Sequence, residues 1–365
     1  MVARRPAGLR ADGRGAIVPP MRMHRLGRTG LYVSELCLGT MTYGGKGFWE
    51  VIGKLGIDAV AGQLRTALDA GVNFLDTADV YHEGESERLV GEAVRRLGVR
   101  RSDLVIATKV RGRVGKGVND AGLSRGHILD AIDASLARLG TDHVDLYQIH
   151  GVDPATPLEE TVHALADVVK AGKARYVGCC NLPAWMAMKA LAIADRAGLP
   201  RFVSAQVYYT IASRDIEREL VPLCKDEGLG VLPWSPLAGG LLSGKYVAGE
   251  RGPEGARRTS FDFPPVDKPR AFACVDAMRP IADAHGVSVA QIALAYLLQK
   301  PQVASVIIGA RTDEQLADNL AAAKVRLAAD EVAALDAVSA LPPEYPAWMV
   351  ERQSNDRYLE GMDRA

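Results

Sequence analysis

Charge of one sign, clustered cysteine and long apolar runs are all missing from this chain of 365 residues, and each absence closes off a class of function. Lys and Arg together number 44, as do Asp and Glu, so nothing in the charge balance calls for nucleic acid or a membrane surface as partner. No run approaches the roughly 20 apolar residues that a membrane span needs. The cysteines at 37, 179, 180, 224 and 274 are odd in number and lack metal-ligand spacing. Cys179 and Cys180 are adjacent in one expected strand and cannot both face one ion. A reduced, cytoplasmic setting follows as the simplest expectation. No Gly-x-Gly-x-x-Gly follows a strand, so a Rossmann domain is not indicated. The histidines form no His-x-His pair and no carboxylate cluster accompanies them, which leaves little for a metal-dependent hydrolase or isomerase.

The first twenty residues carry Arg4, Arg5, Arg10 and Arg14 among Gly, Pro and Ala, with neither the apolar core nor the amphipathic helix of a targeting signal. They are expected to form a disordered extension, with Met21 or Met23 as the working start. The whole chain is 48% hydrophobic and 24% charged, the balance of a large globular protein with a sizeable core.

From residue 24 a regular alternation begins. Residues 24–33 read as two short strands around a Gly-containing turn. Apolar runs at 35–39, 72–76, 104–109, 144–150, 174–179, 203–207, 230–234 and 304–308 then alternate with amphipathic stretches. Val60, Leu64, Ala67 and Leu68 share one helical stripe, as do Ile128, Ile132, Leu136 and Leu139. Thr156-Pro157-Leu158-Glu159 and Thr312-Asp313-Glu314-Gln315 carry helix-start chemistry, with each Thr as the cap. Eight strand–helix units predict an α/β fold, a (β/α)₈ barrel over 21–340 with an amino-terminal hairpin. Two long connections, 40–57 and 235–268, emerge on the carboxyl face, where long loops shape binding sites. The tail 341–365, with Trp348, is expected to fold back as a further wall of the pocket.

Asp76, Lys109 and His150 each end an apolar run, and Tyr81 lies five residues past the first of them. Carboxyl ends of barrel strands converge on one face, so these four form a candidate proton-delivery unit. Each alone has a plainer explanation as ion pair, core histidine or packing residue; their convergence is what points to carbonyl reduction.

In Asn73–Tyr81 with Gly84-Glu85-Ser86-Glu87, in Leu104–Lys109 and in Asp145–His150 the chain resembles the aldo-keto reductase superfamily, over about 26–338. The run Trp234-Ser235-Pro236-Leu237-Ala238-Gly239-Gly240-Leu241-Leu242-Ser243-Gly244-Lys245 is most similar to the bacterial branch that includes potassium channel β subunits. The resemblance implies an NADPH/NADP⁺-dependent reductase acting on a small-molecule carbonyl substrate. Tyr81 is then the general acid, Lys109 is expected to lower its pKa from about 10, and Asp76 keeps Lys109 charged. His150, held neutral, polarises the carbonyl. The implied cofactor contacts are Gly39, Thr40, Met41 and Asp76; Asn181 and Gln206 on the carboxamide; and Trp234 stacked on the ring. Cys180 stands where the family commonly has Ser, and a thiol is the weaker donor. Ser235, Pro236, Leu237, Gly239 and Lys245 would line the pyrophosphate, and Gly309, Arg311, Gln315 and Asn319 the adenosine end, with Arg311 on the 2′-phosphate. Tyr43, Phe48, Trp49, Tyr208 and Trp348 are candidates for an aromatic substrate wall. A competing reading, a protein that holds NADPH as a redox reporter, stays open.

Overall fold

The computed structural model describes residues 21–250 and 252–357; the extension expected over 1–20 lies outside the described residues. Strands β1 (Met23–Arg25) and β2 (Tyr32–Ser34) pair antiparallel. The turn between them places Gly27 at φ 60°, and a Cβ there would collide with the Val203 and Gly228 carbonyl oxygens. Glycine alone lets the hairpin dock on the barrel floor.

Eight parallel strands follow: β3 (Leu36–Gly39), β4 (Phe74–Asp76), β5 (Val105–Val110), β6 (Val144–Ile149), β7 (Ala174–Cys180), β8 (Phe202–Tyr208), β9 (Gly230–Trp234) and β10 (Val306–Ile308). Their order is β10-β3-β4-β5-β6-β7-β8-β9. A parallel bridge between Val231 and Val303 brings the two ends together, with Ala304 N–H donating to the Val231 carbonyl at 2.9 Å. With helices between the strands, the architecture is the expected (β/α)₈ barrel.

Side chains alternate along each strand. Phe74, Val105, Ala107, Leu146, Leu232 and Ile307 point inward and meet Leu26 and Val33 of the hairpin segment. Leu75, Ile106, Tyr147, Ile149, Val177 and Cys179 point outward into the larger core beneath the helices. The helix Ile57–Asp69 buries Val60, Leu64 and Ala67, and Arg125–Leu139 buries Ile128, Ile132, Leu136 and Leu139. The Ser124 hydroxyl caps the latter by accepting from His127 N–H.

Thr312 caps Asp313–Ala321 as expected, accepting from Gln315 N–H at 3.3 Å. Thr156 does not cap its helix. Pro157 takes that position, and the Thr156 hydroxyl donates instead to Asp153 Oδ2 at 2.7 Å, a carboxylate being the stronger acceptor. The tail forms the helix Ala347–Arg357, preceded by a pair between Arg218 and Glu344 at 2.6 Å. Among the described residues no single helix is long and apolar enough to cross a membrane.

Gly91, on the helix Glu85–Arg96, lies where a Cβ would overlap the Leu139 carbonyl of the next helix. Gly91→Ala is therefore expected to cost about 1–3 kcal/mol through overpacking. Urea unfolding would read this as a lower midpoint; an unshifted midpoint would contradict the packing.

Candidate active site

Register builds the site. Gly39 pairs with Asp76, Lys109 with Gln148, Gln148 with Gly178, and Cys180 with Gln206. The inward positions one layer above the apolar floor are thus Asp76, Lys109, Gln148, Cys180 and Gln206. Lys109 is 0% and Asp76 3% exposed. Lys109 Nζ donates to Asp76 Oδ2 at 2.6 Å and to the Thr77 carbonyl at 2.8 Å, and lies 3.4 Å from the Tyr81 hydroxyl. The second Asp76 oxygen accepts from Gln206 Nε2 at 2.8 Å and Gln148 Nε2 at 3.3 Å. Burial alone would pull the Lys109 ammonium down, but Asp76 and Tyr81 outweigh it and hold its pKa above the ordinary value. Lys109 is charged at every working pH.

Tyr81, 7% exposed, begins a tight turn in which His82 and Glu83 adopt φ of 50° and 58°. His82 pins the turn to the first long loop. Its Nε2 lies 3.0 Å from the Met41 carbonyl, and Lys46 N–H donates to Nδ1 at 3.3 Å. That arrangement requires the proton on Nε2 of a neutral ring. The Tyr81 and His150 rings meet edge to face at 5.7 Å. Burial, then Lys109 and Arg111, hold the His150 pKa down at about 3, so its imidazole is neutral. Tyr81 departs from the expectation. Burial pushes its pKa up to about 12 even though Lys109 pulls the other way.

Around this layer, Asn181 at φ 55° donates from Nδ2 to the His150 carbonyl at 3.1 Å and accepts from Trp234 Nε1 at 2.9 Å. The Cys180 thiol is 3.8 Å from Gln148 Oε1, and its pKa is raised by burial above all. Thr40 N–H donates to the Asp76 carbonyl at 3.0 Å. Beyond β9, Ser235 and Ala238 join Gly239 and Gly240 at positive φ. A Cβ on Gly239 would sit 2.6 Å from the Phe263 carbonyl. The segment 235–240, with buried Pro236 and half-buried Leu237, is thus a glycine-containing turn under the second long loop, in which Ala238 N–H donates to the Ser235 carbonyl and Gly240 N–H to the Leu237 carbonyl, both at 2.8 Å. Burial and then Arg311 lower the Lys245 pKa.

Arg311 is largely committed elsewhere. Its guanidinium donates to the carbonyls of Ile52 at 2.9 Å, Val51 at 2.6 Å and Gly255 at 3.2 Å, which ties the two long loops together. Gln315 Oε1 accepts from Arg311 N–H at 2.9 Å, and Asn319 Nδ2 donates to the Gly309 carbonyl at 3.2 Å. Arg257 contrasts with Arg311 in having no acceptor among the described residues, and nothing in its sequence neighbourhood marks it. Its Nε and Nη2 are buried and have no hydrogen-bond partner among the described residues. Burial, then Arg311 and Arg258, lower its pKa to about 10. Gln148 was also missed, although its parity with Leu146 and His150 on one strand marks it as inward-facing.

The aromatic candidates divide. Trp49 packs on Tyr81 at 5.3 Å, and Phe48, 63% exposed, meets Phe261 of the second loop at 5.3 Å. Phe261 meets Phe263, which stacks at 12° on Trp234, and Tyr208 lies 5.0 Å from Trp234. Tyr43 leaves the wall: at 1% exposure it is a core residue beneath the loop, where its ring has no open face. Trp348 meets Tyr345 at 6.1 Å and touches none of this aromatic chain among the described residues. Phe261 and Phe263 stand where the tail was expected to.

Asp79 lies behind the site. It is buried, neither carboxyl oxygen has a partner among the described residues, and its backbone N–H donates to the Lys109 carbonyl at 3.2 Å. Burial first, then Glu87, push its pKa up to about 8 against the opposing pull of Arg138. The folded protein therefore binds this proton more tightly than the unfolded chain, where an aspartate titrates near 3.9. Stability falls as pH rises from about 4 to about 8 and stays low above. Asp79→Asn should raise the melting temperature at pH 9, with a gain that shrinks steadily on the way to pH 5. A gain equal at both ends would mean that Asp79 does not titrate in this window.

A sequence model of the Aldo/keto reductase family matches residues 35–340. The chain is 36% identical over 334 residues to versiconal hemiacetal acetate reductase of Aspergillus parasiticus, covering 87% of this chain and 96% of that protein. It is 39% identical over 311 residues to a probable voltage-gated potassium channel subunit beta of Oryza sativa subsp. japonica, covering 84% and 92%. An uncharacterized oxidoreductase of Bacillus subtilis, YrpG, is 36% identical over 335 residues, covering 88% and 98%. With its eight-stranded barrel and the Asp76–Lys109–Tyr81 network at the carboxyl face, the chain belongs to the aldo/keto reductase family.

Proposed function

We propose that this protein reduces aldehydes or ketones to alcohols with NADPH, and that Tyr81 is the general acid. The observation that carries the reading is the Tyr81 hydroxyl held against a buried, paired ammonium and edge-on to a neutral imidazole. A dihydronicotinamide supplies hydride when bound. Tyr81 gives its proton to the carbonyl oxygen as negative charge develops there. Its high pKa keeps it protonated at the start of each turnover, and Lys109 stabilises the phenolate that forms. Neutral His150 donates a hydrogen bond to the same oxygen and adds no competing charge. Asp76 keeps Lys109 aimed, and Gln148 and Gln206 satisfy the second Asp76 oxygen.

The residues present suit a dinucleotide phosphate. The glycine turn at 235–240 suits a pyrophosphate, and the Arg257 guanidinium beside Arg311 and Arg258, without a hydrogen-bond acceptor among the described residues, suits a further anion. On this reading Arg257 meets the 2′-phosphate, and Arg311 closes the loops over it. The unit is the barrel of 21–340, and five buried free thiols suit a cytoplasmic location. The channel-subunit relatives motivate a second reading, a cofactor-holding regulatory protein. Tight retention of NADPH with negligible turnover on every carbonyl would favour it.

Tryptophan fluorescence titration with NADPH and NADH tests the cofactor assignment. NADPH should bind more tightly, and Arg257→Ala should weaken it about 10-fold or more while affecting NADH far less. Equal weakening of both would remove Arg257 from the 2′-phosphate. Tyr81→Phe should lower kcat by about 10²- to 10⁴-fold with NADPH affinity kept. Full activity in that variant would end the general-acid role.

A further inference from the structure

Arg111 leaves β5 two residues past Lys109, in a backbone conformation that arginine rarely adopts. Its φ is 141°, in the region glycine favours, although the side chain is exposed and gains little from packing. Strain of this kind persists where the surroundings enforce it, and it concentrates at functional sites.

Two close approaches locate the segment. Gly112 presses on Val80, the neighbour of Tyr81: a Cβ there would stand 2.7 Å from the Val80 side chain. The Arg111 stem crosses Gly151, the neighbour of His150, where a Cβ would stand 3.8 Å from Arg111 Cδ and Nε. Arg111 Nε donates to the Val152 carbonyl at 2.9 Å. The Arg111 stem is therefore anchored on the His150 side, against Gly151 and Val152, while the backbone that follows it at Gly112 lies against Val80.

Its outer edge has no partner. Neither terminal nitrogen makes a hydrogen bond or ion pair among the described residues. Asp153, the acid nearest in sequence past His150, feels the Arg111 charge without bonding it: its oxygens accept from Leu123 N–H at 2.6 Å, Ala155 N–H at 3.0 Å and the Thr156 hydroxyl at 2.7 Å. Arg111 also contributes, after burial and Lys109, to keeping His150 neutral. A permanently charged, planar donor pair thus stands close enough to His150 for its charge to be felt there, with its terminal nitrogens unbonded among the described residues.

We propose that Arg111 is a specificity-determining residue that receives the carboxylate of the substrate, so that the preferred carbonyl compounds are aldehydes or ketones bearing a carboxylate. The proposal rests on the reductase reading for its substrate and on the loop geometry for the anion. The guanidinium edge matches a carboxylate through two parallel hydrogen bonds, whereas a lysine offers a point charge. The aromatic chain through Trp49, Phe48 and Phe261 covers the apolar body of such a substrate.

The test compares kcat/KM for para-carboxybenzaldehyde and benzaldehyde in the full chain, in Arg111→Gly and in Arg111→Lys. Glycine relaxes the backbone at φ 141°, so this variant removes the guanidinium without adding strain. The ratio of the two kcat/KM values should fall about 10- to 100-fold in Arg111→Gly, mostly through KM of the charged aldehyde. Arg111→Lys should lie between. A ratio that moves less than twofold in both variants overturns the proposal. Calorimetric binding of para-carboxybenzyl alcohol in the presence of NADP⁺ separates the two readings. Binding that Arg111→Gly weakens, in a protein that turns over neither aldehyde, upholds the anion site and defeats the reductase reading. Binding alike in both proteins defeats the anion site whatever the turnover.

Discussion

The buried pair of Lys109 and Asp76 is the constraint around which the barrel's upper half is arranged. Removing two charges from water costs several kcal/mol for each ion, and mutual attraction repays that only when the remaining hydrogen-bonding capacity is also met. Here it is met from four strands. Asp76 stands on β4, Lys109 on β5, Gln148 on β6 and Gln206 on β8, with the Thr77 carbonyl taking a second ammonium proton. Each donor arrives because the parallel register sets inward residues at one height, so a slip of one residue on any of these strands would exchange an inward polar partner for a residue that faces the helices. A well-packed apolar layer would cost less to bury. What the charged layer provides is a lysine held in its ammonium form 3.4 Å from the Tyr81 hydroxyl.

A second set of interactions holds the long loops above this layer. Arg258 donates to the Ala238 carbonyl at 2.7 Å and the Pro264 carbonyl at 2.9 Å, fixing the second loop onto the glycine turn. Arg311 binds three carbonyls across both loops, and Phe48 against Phe261 adds an apolar contact between them. Arg257 is the exception in this cluster. Two like charges beside it lower its pKa after burial does, and against them stand only the Phe261 ring at 5.8 Å and the opposing pull of Tyr246. On the proposed reading, the 2′-phosphate supplies the acceptor that this cation lacks.

The strand-end residues were legible in the sequence because period and position coincide there: Asp76, Lys109 and His150 each close an apolar run, and parity along the strand sends each inward. Gln148 follows the same parity and was hidden only because a glutamine within an apolar strand carries no chemical signature of its own. The loops were far less legible. Tyr43 and Phe48 are both aromatic residues in one glycine-rich stretch, yet one is core and the other exposed. That division depends on the path of the chain, which is set by His82 reaching the Met41 carbonyl and by Gly44 at φ 126° against the His82 ring. Arg311 and Arg257 likewise have the same side chain, and only the carbonyls that the folded loops present tell them apart.

The Tyr81 acidity shows where composition alone misleads about chemistry. A lysine beside a phenol lowers its pKa by favouring phenolate, and in water that would be the whole account. In this site the low-dielectric surroundings that strengthen the lysine's field also penalise the phenolate, and the penalty wins, at about 12. The result is compatible with acid catalysis and changes what Lys109 contributes. A tyrosine poised near neutrality would spend part of its time already deprotonated and unable to donate. In the proposed reaction, a tyrosine held protonated donates only when charge on the carbonyl oxygen draws the proton across, and the ammonium is then already aligned with the phenolate that results. Stabilisation that exists only after the proton has begun to move favours the transition state over the ground state, which is the condition for raising kcat rather than tightening substrate binding.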